Sequence, residues 1–296
     1  MVTVNWNGWR DTLACLDALR ATRDASWRLF IVDNASTDDS LSHFVDLGDE
    51  VTCLPSPTNG GWTGGNNVGV AHALRAGYQQ ILLLNNDACV EPGTLAAFLA
   101  GALRAPKAIL GGVLCDETGV EIQSGFRLHP PTGLPRWTPT PTMTAVDDGL
   151  LAASMVCGAA LFARADVFDA IGPFDDAFYL YNDEADWCVR GAKAGHPSLV
   201  VADARLRHSR YGSTGGDDSP LVAYFRTRNG LLFAERHATL VQRLRAAKNF
   251  AARAFAAGDR TARARRRGLL DYLLRRFGDC PEVIRRLQDD WRSAGA

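Results

Sequence analysis

A short apolar run that stops at Asp or Asn and gives way to a helical pattern constrains this chain more than any other feature. Leu29-Phe30-Ile31-Val32 stops at Asp33, and Ile81-Leu82-Leu83-Leu84 stops at Asn85-Asn86-Asp87. Residues 2–5 and 51–54 read as two further apolar strands. Between the strands, residues 11–22 place Leu13, Leu16, Ala18 and Leu19 on one helical face. Ser36-Thr37-Asp38-Asp39 reads as a helix start with Leu41 and Phe44 behind it. Strands alternating with helices predict an α/β fold with a mostly parallel central sheet and helices on both faces. In such sheets ligands sit outside the carboxyl ends of the strands, which is where Asp33 and Asp87 fall.

The texture changes after this first part. Residues 126–148 hold five prolines and no periodicity, and read as a long loop between two halves of a catalytic unit. The apolar run from Leu150 to Ala163 is too short to span a bilayer and fits a buried core segment. After Phe225 the pattern is helical. From Glu235 onward, fifteen Arg or Lys face seven Asp or Glu, a net of +8 in a chain whose total is −1. Such asymmetry suits a basic surface aimed at phosphate or an anionic membrane. Seven cysteines, none in a C-x-x-C pair, read as reduced, mostly buried thiols. No secretory leader follows Met1, so a cytoplasmic protein is expected.

Several constellations carry chemistry, and each has a plainer reading beside it. Asn85-Asn86-Asp87 brings a carboxylate flanked by amides to a strand end, which suits Mg2+ or Mn2+ shared with substrate phosphates; an Asx turn would explain it about as well. Asp33 can receive a ribose hydroxyl or a base N–H, while Ser36 or Thr37 can simply cap the next helix. Asn59 to Gly69 offers backbone N–H groups to an anion at a helix start, or is a tight turn needing glycine. It matches neither G-x-G-x-x-G nor the P-loop pattern. Asp183, Glu184 and Asp186 crowd three carboxylates into four positions and supply a candidate general base. Their plainer reading is a helix N-terminus, with Asp186 paired to Arg190. His208 stands among Arg205, Arg207 and Arg210 before a Gly/Ser loop, which suits a diphosphate or metal site.

Taken in order, these motifs resemble the family 2 glycosyltransferases of the GT-A fold, and within them the rhamnosyltransferase-like bacterial enzymes. The resemblance runs from residue 2 to about residue 233. It implies a catalytic domain over 1–234, with a nucleotide-binding half (1–125) and an acceptor-side half (149–234), and a basic helical extension over 235–296. It implies that Val4-Asn5-Trp6-Asn7 touches the nucleotide, with Asn5 and Asn7 as contacts, and that Asp33 binds base and ribose. Gly65 and Asn67 of the glycine-asparagine segment are expected near the nucleotide, with Asn85 and Asn86. Asn85-Asn86-Asp87 takes the place of the family's D-x-D motif, so Asp87 inherits metal binding, and His208 matches a downstream His that completes the site. Gly172-Pro173-Phe174-Asp175 resembles the segment beside the acceptor. Asp183-Glu184-Ala185-Asp186 stands where the family shows E-D-x-D, which makes Glu184 the expected base and Asp183 its rival. Arg228-Asn229 resembles a motif common just before the C-terminal helices.

The implied reaction is one inverting displacement. Glu184 deprotonates an acceptor hydroxyl, and a divalent metal (Mn2+ or Mg2+) stabilises the leaving diphosphate. The expected partners are a nucleotide-sugar donor, dTDP-rhamnose or a UDP-sugar, and a glycan or lipid-linked acceptor in cell-surface polysaccharide synthesis. Nucleic acid is not expected. Residues 235–296 are expected either to contact an anionic membrane peripherally or to cap the catalytic domain. Two rivals stay in view: a nucleotidyltransferase, which would need more basic residues than the lone Arg10 between 5 and 12, and a non-catalytic carbohydrate-binding relative.

Overall fold

The computed structural model describes residues 1–208, 216 and 218–295. The apolar runs of the first part become β1 (Val2–Asn5), β2 (Leu29–Asp33), β3 (Val51–Pro55) and β4 (Gln80–Leu84), separated by α1 (Trp9–Ala21), α2 (Ser40–His43) and α3 (Gly61–Arg75). Next come β5 (Ala88–Val90), α4 (Thr94–Arg104), β6 (Ile109–Cys115) and β7 (Glu121–Gln123). The middle of the chain forms β8 (Gly125–Leu128), β9 (Pro135–Thr138), β10 (Ala145–Asp147), β11 (Leu150–Ala153), β12 (Met155–Val156) and β13 (Ala160–Arg164). Then follow α5 (Ala165–Ile171), α6 (Asp183–Lys193) and β14 (Ser198–His208), and the helices α7 (Pro220–His237), α8 (Leu240–Ala254), α9 (Ala262–Leu273) and α10 (Glu282–Gly295).

Contacts divide the chain into two compact units. The first comprises Met1–Arg127, Trp137–Phe174 and Glu184–Ser209; the second comprises Leu128–Arg136, Asp175–Asp183 and Arg210–Ala296. The first unit carries the main sheet, in the order β10-β11-β14-β6-β13-β4-β1-β2-β3, with β5 on β14 and β7 on β6. The parallel pairing expected from strand–helix alternation holds across β4-β1-β2-β3 and between β6 and β14. Antiparallel pairs enter with β13, which lies between β4 and β6.

Helices cover both faces. On one, Leu16 and Leu19 of α1 and Phe98 of α4 join Ile31, Leu110 and Phe162 in a single core, with Phe98 stacked on Phe162 at 5.4 Å. On the other, α3 lies so close to β1 that side chains are excluded. A Cβ at Gly65 would stand 2.6 Å from Val4 Cγ1, and one at Gly69 would stand 2.2 Å from Val2 Cγ1.

Two sequence expectations are corrected here. Residues 126–148 are not one loop: they hold β9, β10, a 3-10 turn at Thr140–Thr142 and most of β8. These strands are too short and too exposed to leave a hydrophobic period. The apolar stretch 150–163 is three strands, not one segment, broken at Ser154 and at Cys157-Gly158.

In the second unit, α7 packs on α8, α9 and α10. Tyr224 and Phe225 of α7 meet Ala264 of α9 and Ile284 of α10. Gly268 lets α9 approach α7 closely, since a Cβ there would stand 2.8 Å from the Tyr224 carbonyl oxygen. The boundary expected at 235 falls in the last turn of α7, a helix that packs with those after it. Among the described residues, no helix is long and apolar enough to cross a membrane.

Candidate active site

The carboxyl ends of β1 and β2 are tied together by their own side chains. Asn5 and Asp33 are both fully buried. The Asn5 amide donates to Asp33 Oδ1 at 2.9 Å and to Ser36 Oγ at 3.1 Å, while its oxygen accepts from Thr12 Oγ1 at 2.8 Å. Asp33 also accepts from the Ser36 hydroxyl at 2.6 Å and from the Ser36 N–H at 3.1 Å. Both residues therefore shape the rim rather than face outward. Asn7, in a left-handed conformation at φ 51, bridges the two loops by accepting from the Thr37 N–H at 2.7 Å. The expected cap by Ser36 or Thr37 does not form: α2 has Asp39 at its N-cap with no side-chain bond, because Ser36 is spent on Asp33. Trp6, 43% exposed, is a large apolar surface at this rim, named from the sequence only as part of the Val4–Asn7 segment.

The glycine-asparagine segment lies mostly inside α3. Gly61 begins the helix at φ +69, which favours glycine. The Asn34 side chain accepts from the Gly60 N–H at 3.1 Å and Asn59 accepts from the Gly61 N–H at 2.9 Å. The Gly64 N–H bonds the Gly60 carbonyl at 3.0 Å. These three amides serve the protein's own oxygens and are not open to an anion. Gly65, expected beside the nucleotide, is buried against Val4. Asn67, expected there too, clamps the backbone of Phe174, donating to its carbonyl and accepting from its N–H, each at 2.9 Å.

Asn85-Asn86-Asp87 leaves β4 in a backbone turn closed by the Ala88 N–H on the Asn85 carbonyl at 3.0 Å. The alternative Asx turn is not formed. Asn85 Oδ1 instead accepts from Trp62 Nε1 at 3.0 Å, and the Asn86 amide donates to Thr12 Oγ1 at 3.2 Å and to the Gly8 carbonyl at 3.3 Å. Asp87 is thus left as the outward-facing acid of the triplet.

Strand register then brings His208 to it. β5 pairs antiparallel with β14, aligning Ala88 with His208, and His208 Nε2 lies 3.1 Å from Asp87 Oδ1. Their side chains are only 11% and 12% exposed. Among the described residues His208 Nδ1 is buried without a hydrogen-bond partner, and Nε2 faces the Asp87 carboxylate without a well-aligned hydrogen bond. An imidazole nitrogen and a carboxylate oxygen so placed fit a metal pair: two ligands at right angles on a cation with bonds of about 2.1 Å stand about 3 Å apart. No cluster of three protein ligands occurs among the described residues. Oxygens from substrate or water would have to complete the shell, as hard cations commonly allow. The expected contributions of Arg210 and the loop 211–215 lie outside the described residues.

A cleft of about 550 Å3 opens beside Asp87, walled by Asp11, Asp17, Cys89, Glu117 and Arg207. Burial, then the charge of Asp87, holds the Asp11 carboxyl above its ordinary value. A cation at Asp87 would relieve that repulsion.

Glu184 occupies the first turn of α6, with Asp183 and Asp186. Its Cβ lies so close to Gly158 that a Cβ there would stand 3.3 Å from it and 2.9 Å from Trp62 Cζ2. Trp62 is the residue that holds Asn85, so Glu184 and the Asn85-Asn86-Asp87 turn share a neighbour. Cys157 feels both: burial, then the charge of Glu184, with Asp87 adding to it, pushes its thiol up to about 12. It stays protonated near neutral pH and is no nucleophile. Asp186 pairs with Arg190 at 2.8 Å, as expected, and Arg190 also grips the carbonyls of Ile171 and Pro173 at 2.8 Å. Trp187 Nε1 donates to the Gly172 carbonyl at 2.8 Å. With Asn67 on Phe174, these bonds fix the segment that the resemblance set beside the acceptor.

In the second unit, Arg228 and Asn229 hold the turn that leads into α6. Tyr179, Tyr181 and Asn182 are all left-handed, at φ 66, 66 and 67. The fully buried Asn229 amide donates to the carbonyls of Phe178, Leu180 and Tyr181 at 2.8, 2.7 and 3.0 Å, and Arg228 adds a bond to Phe178 at 3.1 Å. Backbone strain of this kind persists only where surroundings over-determine it, and it gathers at functional sites. The Arg-Asn pair was visible in the sequence, but not its task, because its partners are backbone atoms far upstream.

A largely parallel sheet of this order with helices on both faces is the GT-A fold. Solved glycosyltransferases share the fold: a GalNAc-T7 structure with UDP, GalNAc and Mn2+ matches with a TM-score of 0.64 at 14% identity, covering 98% of this chain and 53% of that one. The chain thus spans about half the length of GalNAc-T7. The mannosyltransferase PcManGT of Pyrobaculum calidifontis, in complex with GDP-Man and Mn2+, matches with a TM-score of 0.58 at 12% identity, covering 93% of this chain and 86% of that one. In sequence, the chain is similar to the N-acetylglucosaminyl-diphospho-decaprenol L-rhamnosyltransferase of Mycobacterium tuberculosis, 28% identical in a 231-residue alignment that covers 71% of this chain and 75% of the relative. The glycosyl transferase family 2 model matches residues 1–172. The chain belongs to that family and is a glycosyltransferase.

Proposed function

We propose that the chain is an inverting transferase that moves a sugar from dTDP-rhamnose or a UDP-sugar to a hydroxyl of a lipid-linked glycan. The observation that carries this reading is the Asp87–His208 pair at 3.1 Å, with His208 Nδ1 buried and unpartnered among the described residues, sharing the neighbourhood of Trp62 and Cys157 with Glu184. A divalent cation held by Asp87 and His208 would supply positive charge for the diphosphate as it leaves. Glu184 accepts the proton of the acceptor hydroxyl, Trp6 and Asn7 stand at the nucleotide rim, and Asn85 and Asn86 hold the turn that presents Asp87. One displacement inverts the anomeric centre. The lipid-linked acceptor is supported by the name of the mycobacterial relative, whose substrate is a diphospho-decaprenol. The lone Arg10 lies over the Trp9 ring at 4.2 Å, which leaves the nucleotidyltransferase alternative without a phosphate-gripping loop.

The test is a panel of nucleotide sugars with and without Mn2+ or Mg2+, read by nucleotide release. Release should require the metal, stop with EDTA, and vanish in Asp87→Ala. Full turnover in EDTA would overturn the metal reading, and release from none of the dTDP- or UDP-sugars would overturn the donor class.

A further inference from the structure

We propose that α8 and α9 form a docking surface for an anionic phospholipid bilayer. The proposal rests on the reading of a lipid-linked acceptor only in that such an acceptor resides in a bilayer.

The first observation is that α8 is apolar on the wrong side. Ala246 and Ala254 are fully buried, and Phe250 packs on Gly230 of α7, so these three mark its inward face. Yet Leu240, Val241, Leu244 and Phe255 stay in solvent, with Leu240, Leu244 and Phe255 at 71, 64 and 70% exposure. At 3.6 residues per turn these four fall within a sector about 100° wide, away from the buried alanines. A helix needs one apolar face to dock on its own unit. The second has no use there.

The second observation is charge. No Asp or Glu occurs from 236 to 258, while Arg243, Arg245, Lys248 and Arg253 do. The outward face of α9 repeats the composition: Arg263, Arg266 and Arg267 in its first half, then Leu270, Leu273 and Leu274, with Leu273 at 72% exposure. The two faces meet, because Arg266 donates to the Ala254 carbonyl at 3.3 Å and its guanidinium lies 5.9 Å from the centre of the Phe255 ring. Beside them a groove of about 280 Å3 has Arg263, Arg266 and Arg267 on one wall and Val283, Ile284 and Leu287 of α10 on the other. Cationic groups beside an aliphatic wall match a lipid phosphate above its acyl chains. Apolar residues framed by Arg and Lys are the composition of helices that lie in a membrane interface. Each basic side chain adds attraction to an anionic leaflet.

The test is co-sedimentation of the full chain with phosphatidylcholine vesicles, with and without phosphatidylglycerol. Pelleting should need the anionic lipid. Leu240→Ser, Leu244→Ser and Phe255→Ser together should lower vesicle affinity at least about tenfold, and Arg263→Gln with Arg266→Gln should do the same. All five positions lie on the surface and, among the described residues, only the Arg266 contacts with Ala254 and Phe255 are lost, so the melting temperature should fall little. Equal pelleting on both vesicle types, or unchanged affinity in both variants, would overturn the proposal. So would a dimer in solution that the serine variant dissolves without any vesicle binding in the parent, since the face would then be a subunit contact. Donor hydrolysis by the variants keeps the two readings apart: loss of vesicle binding with hydrolysis intact is the outcome expected here. Vesicle binding by a chain that hydrolyses no nucleotide sugar would sink the proposed function alone.

Discussion

Glu184 sits one residue into α6, half-buried, beside a glycine that admits no side chain and a tryptophan that holds the Asn85–Asp87 turn. Asp183 before it and Asp186 after it are both buried. Crowding alone left the base open between Asp183 and Glu184; burial favours Glu184, since a base must reach the proton it takes. Glu184→Gln keeps the shape and removes the proton acceptor. Turnover should fall about 10²–10⁴-fold while donor affinity, measured by calorimetry, is retained. Near-normal turnover would move the base to Asp183. At this scale the residues by themselves could name Asp87 and His208, and only the family resemblance put them in one site. Their pairing is a matter of register between β5 and β14, which neither strand's residues announce.

The α3–β1 contact shows where local pattern reading stops. Four strands and the helices between them were legible in the first part of the chain, because apolar runs and periodic stretches alternate there. The role of the glycines in α3 was not, because glycine reads the same whether it frees a backbone amide or lets a strand come near. Here Gly65 and Gly69, one helical turn apart, admit Val4 and Val2, two residues apart on one face of β1. Gly69→Ala would gain about 1 kcal/mol in helix propensity. It would also force a methyl against Val2, and overpacking costs about 1–3 kcal/mol. A net loss is expected in urea unfolding, and Gly69→Ala with Val2→Ala should couple favourably in a double-mutant cycle. Additive effects would mean that the helix simply shifts. The strands of 126–148 escaped detection for the opposite reason: with little to bury, they carry no pattern to read.

Across the whole molecule, the second unit is assembled from pieces far apart in sequence, and Asn229 is the residue that joins two of them. Its two amide protons reach three carbonyls of a left-handed turn, of which that of Phe178 also accepts from Arg228 and from the Leu180 N–H. Asn229→Asp is nearly isosteric but cannot donate, and a buried carbonyl left unbonded costs about 1–3 kcal/mol. The variant should melt lower and lose turnover together, whereas Asn229→Gln should recover part of both. A variant that melts normally and turns over normally would show that the turn holds itself. The clamp also imposes an order on biosynthesis. Asn229 lies 51 residues beyond the Phe178 carbonyl it binds. While the chain is still being made, the turn ahead of Glu184 leaves the ribosome before the residue that sets it. The turn leading into α6 is therefore clamped only after α7 has emerged. A nascent or prematurely ended chain can hold Asp87 in its strand-end turn while residues 178–182 are still unclamped.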